Sequence, residues 1–118
     1  YFIGKLRGWE TITWSDVFTV NTSVFTLQAG YTSVMINRFL RMIMLAVTGN
    51  TVNAISANVF FEPIAINAGY RSIVGSPITG QFDGKAMNGH TYGSNFYISS
   101  QSNLTANNCI RVSSMWNY

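Results

Sequence analysis

Along much of the chain apolar and polar residues alternate with period two. Glu10-Thr11-Ile12-Thr13-Trp14 does so cleanly, and residues 16–20 (DVFTV) less cleanly. This period sends successive side chains to opposite faces of an extended strand. Residues 23–28 (SVFTLQ) predict a strand that ends at Ala29-Gly30, and 31–37 (YTSVMIN) the returning strand. Val59-Phe60-Phe61 predicts a short strand closed by Glu62-Pro63, and Ile64-Ala65-Ile66 leads into the turn Asn67-Ala68-Gly69. Residues 94–100 predict a further strand, 101–108 a polar hairpin loop, and 109–116 the last strand. In that strand Ile110, Val112 and Ser114 take one face, and Arg111, Ser113 and Met115 the other.

Two stretches are less plain. The apolar run 39–48 (FLRMIMLAVT) carries Met and Leu, which favour a helix, and Arg38 and Arg41 would share a helix face. It has no capping residue, however, and ends at Gly49-Asn50. A strand buried on both faces also gives a continuous apolar run, so strand is the reading carried forward, with helix the alternative for 39–47. Residues 81–93 (QFDGKAMNGHTYG) hold three glycines in thirteen positions and predict a long surface loop or loop pair. Short β segments set apart by turn residues imply an all-β fold, an antiparallel β-sandwich or β-barrel. With 118 residues the chain forms a single domain, 1–118.

Charged residues are 9% of the chain, against about 25% in an ordinary soluble domain. Ser, Thr, Asn and Gly replace them, giving a neutral polar surface suited to uncharged ligands or to burial in an oligomer. The net charge of +3 comes from scattered bases with no run, which argues against nucleic acid. The longest apolar run is too short to span a bilayer, so no membrane insertion is expected. A single cysteine, Cys109, excludes an intrachain disulfide and reads as a small buried hydrophobe in the last strand. The chain opens on Tyr1 rather than Met, as expected of a fragment or a processed form.

Catalytic constellations are hard to assemble. One His, one Cys and four isolated carboxylates offer no metal-ligand spacing, so no metal or cofactor is expected. A glycosidase would need two of Glu10, Asp16, Glu62 and Asp83 to meet across the fold. A triad from His90, Asp83 and a serine lacks a nucleophile-elbow pattern, and the glycines after Gln81 lack a phosphate-loop ending. What remains is a stock of aromatics and neutral hydrogen-bonding groups. A sugar needs a flat aromatic face against its C–H side and amide, carboxylate or imidazole groups for its hydroxyls. The candidate ligand-binding residues are therefore Asp83, Asn88, His90 and Tyr92 in the glycine-rich stretch, with Trp116 as a further stacking candidate.

From Ala68-Gly69-Tyr70-Arg71 onward the pattern resembles a known domain: a short hydrophobic strand, the GYR turn, a Gly/Pro-punctuated segment, the Phe96–Ser100 strand and a closing SSMW. It is similar to the C-terminal head of phage tail-fibre and baseplate receptor-binding proteins from siphophages of Gram-positive bacteria. One departure is Ser72, where a proline usually follows the arginine. The resemblance implies a homotrimeric head on the virion, at the tail tip or baseplate, with a shaft-joining segment at about 1–9. It would contact other tail or baseplate proteins and bind host cell-wall polysaccharide or sugar phosphate, with no enzymatic activity and no cofactor. Two other functions compete: a structural tail component acting through protein–protein contacts, and a small hydrolase of cell-wall glycan.

Overall fold

The computed structural model describes residues 8–82 and 85–118, so the start of the expected shaft-joining segment and Asp83 lie outside the described residues. The fold is all-β. In chain order it comprises β1 (Trp9–Thr11), the one-turn helix α1 (Trp14–Val17), β2 (Phe18–Val20), β3 (Phe25–Leu27), β4 (Ser33–Asn37) and β5 (Met42–Thr51). There follow β6 (Ile64–Ile66), β7 (Ser72–Phe82), β8 (Lys85–Gly93), β9 (Asn95–Ser100) and β10 (Cys109–Asn117). All pair antiparallel in one sheet of order β1-β4-β5-β10-β7-β8-β9-β6-β2, with β3 on a free stretch of β5.

The sheet is a curled half-barrel rather than a two-sheet sandwich. Laid flat, the nine strands of its main path would hold the outer edges about 38 Å apart, from eight steps of ~4.8 Å. Yet β1 and β2, at opposite edges, are joined by residues 12–17 alone. That link spans at most ~24 Å even when fully extended. The edges must therefore approach, and β2 comes against β3 while α1 packs on β4. Glycines on the core face permit the bend. A Cβ at Gly49 would strike Phe25 and the Thr26 carbonyl, one at Gly80 the Arg111 carbonyl, and one at Gly89 the Tyr97 carbonyl.

Inside the curl, alternate residues of each strand form one core. Ile43, Leu45 and Val47 of β5, Ile110, Val112 and Trp116 of β10, Ile78, Met87, Phe96 and Ile98 are all 3% exposed or less. The helix alternative for 39–47 fails. Residues 38–41 form a turn held by the Leu40 N–H donating to Asn37 Oδ1 at 2.9 Å, and the rest is strand. Arg38 and Arg41 diverge, Arg38 toward Glu10 at 3.5 Å and Arg41 onto the ring of Tyr118 at 4.5 Å.

Four further expectations are corrected. Residues 81–82 and 85–93 are not a loop but belong to two long paired strands, and Gly89 sits where β8 and β9 approach closely. Val59–Phe61 reduces to one bridge, Phe61 with Ile98. Cys109 is exposed, because the buried phase of β10 starts one residue later at Ile110. Residues 101–108 are not a hairpin loop, because β9 and β10 are not neighbours in the sheet; they form a connection tied to residues 52–58 by a bridge between Ile55 and Leu104.

Candidate functional site

The face of the sheet turned away from the core carries the candidate chemistry. Strand β8 alternates strictly there, with Met87 and Thr91 buried and Asn88, His90 and Tyr92 exposed on one face. Three of the residues expected from sequence therefore share a face, at two-residue spacing along one strand.

Neighbouring strands build on this row. His90 stands opposite Tyr97 of β9, and the two rings lie 5.5 Å apart between centroids, tilted by 46°. Phe60 meets His90 edge-on at 5.9 Å. Phe60 is held there because the Phe61 N–H donates to the Ile98 carbonyl at 2.8 Å and the Ile98 N–H returns the bond at 2.9 Å. Just beyond, Pro63 offers no donor, and the Phe96 N–H reaches the Glu62 Oε2 at 3.4 Å. The result is a half-exposed ring cluster of Phe60, His90 and Tyr97. Edge-to-face contacts of this kind hold ring orientation as well as burying area.

One step along the strands lies a row of small polar residues in direct register, Ser113–Thr79–Asn88–Ser99. On its far side Arg111 stands opposite Thr48 and Gln81, lining a hollow of about 450 Å³. Arg111 has no ion-pair partner among the described residues. Hydroxyls, amides, one guanidinium and three rings thus occupy a single stretch of surface.

On the other side of the row the character changes. Met35, Met44 and Met115 stand in register on β4, β5 and β10. With Ala46, Pro77 and Thr79 they line a hollow of about 650 Å³. Short side chains at Ala46, Ser113 and Thr79 leave its floor low. The alternation of the last strand put Met115 on one face with Arg111 and Ser113, but nothing in the sequence paired it with Met44 and Met35, since register joins them.

Trp116 does not belong to this site. It is 1% exposed on the core face, and its Nε1 donates to the Tyr70 carbonyl at 2.8 Å, so it has no face to offer a ligand. Trp14 is half-buried and stacked on Phe18 at 5.2 Å. Of the described carboxylates, Glu10 meets Arg38, Glu62 lies beside Phe96, and Asp16 is in α1, so they occupy separate elements. Among the described residues no cluster of His, Cys, Asp and Glu could hold a metal ion, and no helix is long and apolar enough to cross a membrane.

No family model, no curated protein and no solved structure matches this chain.

Proposed function

We propose that this chain is a non-catalytic adhesion domain of a phage tail, a homotrimeric head that binds cell-wall saccharide or sugar phosphate on a Gram-positive host. The observation that carries the reading is the half-exposed cluster of Phe60, His90 and Tyr97 beside the in-register, exposed Thr79 and Asn88. The ring faces suit the C–H side of a sugar, and the amide and hydroxyl suit its hydroxyl groups. Arg111, with Gln81 and Thr48 around it, offers a charge-assisted contact to a phosphate. Each such site is shallow and weak alone. Three copies on one head facing a repetitive wall gain through effective concentration.

The test is sedimentation of the protein with purified walls from a panel of Gram-positive hosts. Binding to one wall type is expected, with His90→Ala and Tyr97→Ala each weakening it roughly tenfold while leaving the fold intact. If the double variant binds as the wild type does, the ring cluster is not the site. The hydrolase alternative is read in the same tubes, where no reducing ends should be released. The structural-component alternative draws its support from the methionine-lined hollow, an apolar surface suited to protein contact. It predicts no binding to any wall.

A further inference from the structure

We propose that the apolar strip on the outward face, from Met35 across Met44, Met115 and Pro77 to Val74 and Ile73, is covered by a second copy of this chain. The inference rests on the oligomeric part of the reading above and is independent of the saccharide part.

From Met35 to Pro77 the strip is continuous by register. Met35 faces Met44, and Met44 faces Met115. The β10–β7 ladder ends at Ser114 opposite Ile78, which sets Met115 level with Pro77, and both line the same hollow. Toward its N-terminal end β7 leaves regular pairing. Ser72 opposes Gly93 and Ser76 opposes Thr91, so four steps on β7 match two on β8. The surplus residues stand out from the sheet as a bulge, and there Ile73 is 69% and Val74 64% exposed. Tyr92, 68% exposed, lies opposite the bulge.

The size of the strip sets it apart from ordinary surface apolarity. Ile73, Val74, Tyr92, Met44 and Met115 at their observed exposures leave on the order of 600 Å² of side chain in water, at the upper end of what a monomer shows in one patch. With Met35, Ala46 and Pro77 the area approaches ~800 Å², divided in a head-to-tail ring between the two contacts each copy makes. A chain with 9% charged residues and one such strip presents a core for association, not a solvated face.

The strip's own chemistry points to the occupant. No charged residue lies among Met35, Met44, Ala46, Met115, Pro77, Val74 and Ile73, so two copies of a chain of net charge +3 meet there without juxtaposing like charges. An anionic lipid surface would call for a cluster of flanking lysines and arginines, whereas the strip itself contains none and Arg71 alone adjoins the Ile73-Val74 knob in sequence. The same chain also carries both halves of a contact, a projecting Ile73-Val74 knob and a recessed methionine hollow. Seating the knob of one copy in the hollow of the next is a heterologous contact, which closes into a ring when the rotation permits. Methionine side chains adapt readily to such a knob.

The experiment is sedimentation equilibrium of the 118-residue protein, wild type against Val74→Asp and Met44→Glu, between about 1 and 100 µM. Both positions point away from the core, and far-UV circular dichroism with a cooperative melt verifies the fold of each variant. The wild type is expected to assemble. Each variant should weaken assembly at least roughly 100-fold, because a carboxylate must be desolvated at the contact. A wild type that stays monomeric at the highest concentration overturns the proposal, as do folded variants that assemble like the wild type. If the wild type is monomeric and the strip variants lose wall binding, the strip is a ligand surface and the proposal also falls. Assembly through the strip with no binding to any wall leaves this interface standing and removes the saccharide reading.

Discussion

Replacing Gly89 with alanine tests the closest backbone approach in the sheet. The new Cβ would run into the Tyr97 carbonyl and come within 2.8 Å of the Ile98 Cα. Both obstacles are main chain, so no rotamer change relieves them, and β8 must separate from β9. Overpacking of a tight interior costs about 1–3 kcal/mol. Loosening the ladder between Met87↔Ser100 and Tyr92↔Asn95 forfeits about two hydrogen bonds, at roughly 1 kcal/mol each. The sum, about 3–5 kcal/mol, is a large share of the ~5–15 kcal/mol that stabilises a domain. At a few degrees per kcal/mol it should lower Tm by roughly 10–20 °C. The assay is a thermal melt by circular dichroism beside Gly30→Ala, where nothing lies within 4 Å of the added Cβ and the change should stay within ~0.5 kcal/mol. A Gly89→Ala protein melting within about 2 °C of wild type would falsify the close β8–β9 approach and its role in bending the sheet.

Trp116→Phe removes the Nε1 donor to the Tyr70 carbonyl and should lower stability by about 1–3 kcal/mol, read as a lower urea midpoint at unchanged slope. Thr91→Val leaves the Ser76 N–H and the Ser72 hydroxyl without their shared buried partner and should cost about 1–3 kcal/mol. An equal midpoint in either variant would show that water replaces the lost bond. Cys109 should react with a thiol reagent in the native state at the pace of an exposed cysteine, whereas labelling only after unfolding would contradict its placement. Glu10→Gln, which breaks an ion pair between half-exposed side chains, should shift Tm by no more than the scatter of the measurement.

Much of the all-β character was legible in the alternation. The two faces assigned to the last strand, Ile110, Val112 and Ser114 against Arg111, Ser113 and Met115, match the structure residue for residue. The glycine-rich stretch misled because glycine marks both turns and tight strand crossings, and only the neighbouring strand tells which applies. Cys109 misled by one residue, since a strand's buried phase is fixed by its partners and not by the hydrophobicity of its first member. Trp116, a stacking candidate from the sequence, is a core residue whose indole N–H reaches the Tyr70 carbonyl. Of the site, Asn88, His90 and Tyr92 were legible as one cluster because they are neighbours along a single strand. Phe60, Arg111 and Met115 join it through contacts and pairings 30 to 71 residues apart, which no local pattern encodes, while Tyr97 and the Met35–Met44 pair depend on the register of short antiparallel pairings.

The place of β10 has a consequence for synthesis. It lies between β5 and β7, in the middle of the sheet, and is formed by residues 109–117. Until that stretch has left the ribosome tunnel, β5 and β7 have no partner to join them, and the sheet exists only as two disconnected halves. Completion therefore waits on a pairing of high sequence separation, a slow route to the native state. Meanwhile the apolar run of β5 is exposed on the growing chain, the condition under which nascent β proteins depend on chaperone holding or associate with one another.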